Sequence, residues 1–130
     1  MRRDRGSATV VALFLVATAA MGMIGVGSLT SLYAARNHAS TAADAAALAA
    51  AVATYPPAGA ESPLVEARRY ARLNAATLQT CRCPVDSTLK VRVVTVIVEL
   101  KTRVPCFGVL PVRAGARAEF DPQAWLGRHP

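Results

Sequence analysis

The chain has 130 residues, 53% of them hydrophobic, and a formal net charge of +7. That length offers room for one domain, and a first third that reads as membrane-spanning leaves only a modest soluble core to the rest. Lys90 and Lys101 are the only lysines, so the charge is almost entirely arginine in an alanine-rich chain, the usage of a GC-rich genome; neither a nucleic-acid partner nor a small-molecule substrate is read from it.

No residue between Gly6 and Ala35 is charged. The densest apolar stretch, Val10 to Leu32, would span roughly 34 Å as a helix, which suits a hydrocarbon core of about 30 Å with a little tilt. Arg2, Arg3 and Arg5 precede the run, whereas only Arg36 follows it closely. The positive-inside bias therefore predicts a cytoplasmic N-terminus, with the remaining mass on the outer side of the cell membrane. The alternative is a cleaved secretory signal, with Val10 to Val16 as its apolar region and Ala17-Thr18-Ala19 as a small-residue site. Against cleavage, the apolar run continues through Met21, Met23, Ile24, Val26, Leu29 and Leu32, which would leave a mature chain opening on an apolar helix.

Nothing stronger than Gly22, Gly25 and Gly27 interrupts the sequence from Ala8 to Tyr55, and Pro56-Pro57 then stops it. One continuous helix, projecting beyond the bilayer, is predicted. In its outer half Ala35, Ala39, Ala42, Ala46, Ala49 and Ala53 recur at spacings of three and four, and Leu48, Val52 and Tyr55 add larger apolar groups near the end. Small residues let helices approach closely, so Gly27, Ser31, Ala35 and Ala39 form a candidate helix-packing ridge across the membrane boundary. The plainer account is alanine's high helix propensity.

Beyond Gly59, Ser62 and Pro63 supply an N-cap and a first helical position, predicting a helix from Pro63 to about Asn74. Leu64, Ala67, Tyr70 and Ala71 mark its apolar side, and Arg68, Arg69 and Arg72 a solvated one. From Leu78 the period falls to two. Leu78 to Cys83 reads as a short strand, Pro84 to Ser87 as a turn, and Leu89 to Val104 as a valine-rich strand. The apolar phase of that strand slips near Val93 and Val94, which predicts a bulge or a fully covered stretch. Pro105 to Gly108 reads as a turn and Val112 to Phe120 as a last alternating strand. The expected fold is α+β and pilin-like: a long N-terminal transmembrane helix extending outside, a short second helix and a small antiparallel sheet. Residues 1–7 form a basic cytoplasmic N-terminus, 8–35 the span, 36–55 its extracytoplasmic continuation and 56–130 a small α+β module.

Cys81, Cys83 and Cys106 all fall in the part placed outside, where thiols oxidise. Alternate residues on one strand seldom bridge each other, so Cys106 is expected to pair with Cys81 or Cys83, leaving one over. A zinc site would want a fourth ligand and a wider spacing than Cys-x-Cys, and only His129 is near in sequence, so no metal is expected. No catalytic constellation assembles either. The only histidines are His38 and His129, no Gly-x-Ser-x-Gly occurs, and Gly22-x-x-Gly25-x-Gly27 lies inside the span. Glu61, Glu66, Asp86, Glu99, Glu119 and Asp121 are scattered surface charges. Neither an enzyme nor a cofactor-binding protein is expected.

Asp4-Arg5-Gly6-Ser7-Ala8-Thr9-Val10, an apolar span, and then Ala42-Ala43-Asp44-Ala45-Ala46-Ala47-Leu48-Ala49 together resemble the N-terminal half of the TadE and TadG pseudopilin-like proteins. More narrowly, the chain is similar to the actinobacterial TadE-like proteins found near secretion and helicase genes. Ala67-Arg68-Arg69-Tyr70-Ala71-Arg72-Leu73-Asn74, the cysteine-bearing and valine-rich strands, and Pro111-Val112-Arg113-Ala114-Gly115-Ala116-Arg117-Ala118 follow the same layout. The resemblance implies a minor part of the machinery that assembles tight-adherence (Flp) pili or a related secretion system, with the bilayer and other membrane proteins of that system as partners. It also makes Gly6-Ser7 a candidate processing site. Processed prepilins of this kind usually carry glutamate at the fifth mature position, where this chain has Val11. That departure favours a permanently anchored accessory role over a polymerised one. Two other readings are a secreted envelope protein with a cleaved signal, and a small membrane scaffold or regulator unrelated to pili.

Overall fold

A computed structural model describes residues 5–58, 61–105 and 107–128, with side chains at the N-terminal end described from Ala8 onward. Helix α1, Arg5–Ala53, runs 49 residues without a break. Pro56 and Pro57 cannot continue its hydrogen-bond ladder, and the chain turns there through a single 3-10 turn, Pro56–Ala58. Helix α2, Pro63–Leu73, starts as its Ser62-Pro63 sequence predicts, although the Ser62 hydroxyl makes no capping bond. It ends through Ala75, whose φ of 56° puts a residue with a side chain in the left-handed region and lets the Ala76 amide reach the Ala71 carbonyl at 2.9 Å.

Three antiparallel strands follow, β1 (Thr77–Arg82), β2 (Arg92–Val104) and β3 (Gly108–Phe120), arranged in chain order with β2 in the centre. The fold is α+β. The β2–β3 pairing is continuous from Arg92↔Phe120 to Val104↔Gly108, so of the bulge or fully covered stretch expected near Val93 and Val94, no bulge occurs there in this pairing. The irregularity lies in β1, between Leu78 and Thr80. Leu89 and Val91 precede the strand and are exposed. Without them the phase of β2 is unbroken, with Arg92, Val94, Val96, Val98 and Val104 buried on one face.

That face packs on the outer half of α1, which is the central element of the module and not a free stalk beside it. Ala35, Ala39, Ala42, Ala43, Ala46, Ala47, Ala50 and Ala51 are buried at the three- and four-residue spacing of one helix face. Small residues on the helix receive branched valines from the sheet, so the two layers interdigitate closely. Helix α2 covers a second flank of α1 with Ala67 and Ala71 buried. A short helix not anticipated from sequence, α3 (Pro122–Leu126), closes the far end, its start capped by the Asp121 carboxylate, which accepts from the Gln123 amide at 2.9 Å. There Tyr55 meets Phe120 and Trp125 at centroid distances of 6.3 and 6.4 Å.

Candidate membrane anchor and its junction with the outer module

The burial of helix α1 begins to change at Ser28. From Ala8 to Gly27 every residue is exposed, whereas Ser28 is buried, and a regularly buried face of α1 starts at Ala35. The bare part is about 30 Å long, the thickness of a hydrocarbon core. It contributes the apolar stretch of mean hydropathy 2.3 that marks this helix as long and apolar enough to cross a membrane. The Thr18 hydroxyl in it is satisfied within the helix, donating to the Phe14 and Leu15 carbonyls at 3.0 Å, and just past its end Ser28 donates to the Ile24 carbonyl at 2.9 Å.

The Ser28 hydroxyl also lies 3.5 Å from the Pro105 carbonyl oxygen, in the turn between β2 and β3. The hairpin tip therefore meets α1 where the bare span ends. Gly108 at that turn has φ of 79°, a conformation glycine adopts without steric cost.

The candidate packing ridge is split by this arrangement. Ala35 and Ala39 are buried within the chain itself, 5% and 0% exposed, and are unavailable to a neighbouring helix. Ser31 is half-buried and donates to the Ser28 carbonyl at 2.8 Å. Gly27 faces open space. Leu48 and Val52, expected to make apolar contacts, point outward, since the register that buries alanines at 46, 47, 50 and 51 turns them away from the core.

At the other end of α1 the buried Arg92 side chain closes the helix. Its guanidinium donates to the Thr54 carbonyl at 3.0 Å and to those of Asp86, Thr88 and Lys90, and it lies 5.7 Å from the Tyr55 ring centroid. The Asp86 amide bonds the same Thr54 carbonyl at 3.0 Å. A cation at a helix C-terminus also answers the negative end of the helix dipole. Sequence reading missed this role by taking the phase of β2 from Leu89 and Val91; the run Val94, Val96, Val98, extended back by two, already puts Arg92 inside. Hydrogen bonds from the Thr88 amide and hydroxyl hold the Asp86 carboxyl below the usual carboxylate range, with the Arg92 and Lys90 charges adding to the effect.

Cys81 and Cys83 are joined to each other, at a Cα separation of 5.5 Å. This corrects the expectation that each would avoid the other. The chain leaves β1 after Arg82, so Cys83 is not held in the extended geometry that keeps alternate strand residues apart. Cys106, the partner expected from sequence, lies outside the described residues, as do His129 and the side chains of the candidate processing pair Gly6 and Ser7. His38 is exposed on α1 beside Asn37 and Thr41. Arg68, Arg69 and Arg72 are exposed on α2, with Arg69 4.0 Å from Glu66. Among the described residues, no group of three or more His, Cys, Asp or Glu side chains is placed to hold a metal ion.

The molecule is thus a small α+β module built around the outer half of one helix whose inner half is a candidate membrane span. Residues 6–53 match the model of a family described as putative Flp pilus-assembly TadE/G-like, a stretch that coincides with α1. Comparison with curated proteins and with solved structures brings no match.

Proposed function

We propose that this chain is a membrane-anchored accessory component, pseudopilin-like in build, of a Flp pilus assembly or a related secretion system. The observation that carries the reading is the family match across α1, a helix that is bare and apolar for the thickness of a bilayer and then becomes the core of a folded module. The arginine-rich N-terminus faces the cytoplasm and the α+β module stands outside. Val11, where processed prepilins present glutamate, leaves no buried carboxylate to seek a neighbour's amine, which supports permanent anchoring over entry into a filament.

Contact with other components of the machinery falls on the parts of α1 that the sheet leaves free. A Cβ at Gly27 has no neighbour within 4 Å outside its own helix, so Gly27→Leu should leave the module intact while adding bulk at the span's outer end. Three measurements test the reading. The full-length chain should stay in the membrane pellet at alkaline pH, and external protease should remove the module from intact protoplasts. Pilus or secretion components should co-purify with wild-type protein and less with Gly27→Leu at matched expression. Release by carbonate, or a mature mass lacking the N-terminal span, would overturn anchoring; equal recovery of partners would remove Gly27 from the contact surface.

A further inference from the structure

Pro105, Phe107 and Val109 are exposed at the β2–β3 hairpin tip, with Phe107 70% and Val109 55% accessible. Three apolar groups at the end of a hairpin would ordinarily be a solubility cost, and in this fold they occupy a particular height. The Ser28–Pro105 contact sets the tip beside α1 at the point where the uncovered apolar span gives way to the module.

We propose that this tip is a second membrane contact, with Pro105, Phe107 and Val109 seated in the interfacial layer of the leaflet from which α1 emerges. The proposal rests on the anchoring reading and goes beyond it, since a single span needs no such contact to hold the chain in lipid. A bilayer is the occupant that the surroundings fit. The apolar surface of the tip continues that of the span, and the groups just above it are those of a membrane interface: Tyr33, exposed on α1 about 7.5 Å beyond Ser28, and Arg36 about 12 Å beyond it. On the hairpin, exposed Arg103 pairs with Val109, and exposed Lys101 follows about 7 Å further along β2. Between α1 and β3 the same level holds a groove lined by Leu32, Tyr33, Arg36, Pro111, Val112 and Arg113. The headgroup layer is about 5–7 Å thick on each side of the core, and long cationic side chains bend toward it. Arg36, Lys101 and Arg103 therefore form a collar at phosphate level around an apolar tip, an arrangement that favours phospholipid over a neutral protein surface.

The test uses the full-length chain in vesicles of phosphatidylcholine and phosphatidylglycerol carrying acyl chains brominated at a shallow or a deep position. Single-tryptophan reporters are placed by Phe14→Trp, Phe107→Trp or Val85→Trp in a Trp125→Phe background. Val85 is also exposed and apolar but lies beside Asp86, at the far end of α1. The expected result is loss of emission for the reporters at 14 and 107, the one at 107 more strongly with shallow bromines, and none for the reporter at 85. Quenching at 14 without quenching at 107 would overturn the tip contact and leave anchoring in place; a blue-shifted but unquenched reporter at 107 would do so by showing that protein covers the tip. No quenching at either position would overturn both.

Discussion

Arg92, on the central strand, donates to the carbonyl of Thr54 at 3.0 Å, so the sheet that covers α1 also caps its end. Removing the guanidinium leaves the buried Thr54 carbonyl to the Asp86 amide alone and takes their side-chain donor from the Asp86, Thr88 and Lys90 carbonyls. Arg92→Ala should lower stability by about 2–4 kcal/mol. Arg92→Lys should recover little of this, because one ammonium cannot serve carbonyls on three sides. Denaturation midpoints of the detergent-solubilised chain measure both.

The alanine seam makes an opposite pair of predictions at neighbouring positions. Ala46 is fully buried, so Ala46→Leu overpacks the helix–sheet layer and should cost about 1–3 kcal/mol. Leu48 is 62% exposed, and Leu48→Ala should change stability by no more than about 0.5 kcal/mol. The reverse ranking in thermal melts would mean that the helix register is wrong.

Asp86 supplies a pH dependence. Its carboxyl titrates lower in the folded chain than in the unfolded one, chiefly through the bonds from Thr88. Its contribution is therefore present above the ordinary carboxylate range and is lost as the pH falls through the lowered folded value. Wild-type protein should exceed Asp86→Asn in stability at neutral pH, and the gap should close in acid. A gap constant from neutral to strongly acid pH would contradict the assignment.

Ala75 holds a left-handed backbone at the end of α2 that glycine adopts more easily. Ala75→Gly should raise stability by about 0.5–1 kcal/mol, the gain in native geometry outweighing the added freedom of the unfolded chain. A lower melting temperature for this variant would show that the turn is not the one described.

With Cys81 and Cys83 bridged, one thiol per chain should be alkylated without reductant, and all three after it. A bridge across one intervening residue restricts the unfolded chain much less than the loop of about 25 residues expected from sequence. Replacing both cysteines by serine should cost about 1.5 kcal/mol where the longer loop would have contributed roughly 3. Non-reduced peptide mapping that joins Cys106 to either residue would refute the pairing.

Much of the fold was legible because its signals are local. Pro56-Pro57 had to end α1, Ser62-Pro63 had to begin α2, and Pro105 to Gly108 had to turn between two alternating strands. What escaped depended on long-range packing or on phase. The ridge of Gly27, Ser31, Ala35 and Ala39 shows small residues without showing what lies above them: Ala35 and Ala39 proved to be buried within the chain itself, whereas Gly27 faces open space. Arg92 was hidden because a charge in a strand is ordinarily read as outward, and its carbonyl partners come from the end of α1 and a loop. Asp121-Pro122 did carry a local helix-start signal of the same kind as Ser62-Pro63, masked by its place just after the last strand. For the candidate anchor, the apolar span could be read directly, but the height at which the hairpin meets it could not.

The absence of any break in α1 between Gly6 and Ala53 gives the molecule the mechanics of a lever. With α1 anchored as proposed, Ser28 would be the fulcrum, and Thr54 stands about 39 Å beyond it along the helix axis. A change in tilt of about 20° within the bilayer would swing that far end sideways by roughly 13 Å. Because the hairpin projects from one side of α1 at the fulcrum, leaning toward it drives the tip against the bilayer surface, whereas leaning away lifts it clear. The direction of free swing is thereby set by the module's own shape, and a neighbour bound near Tyr55 would feel motions of the span that a jointed stalk would absorb.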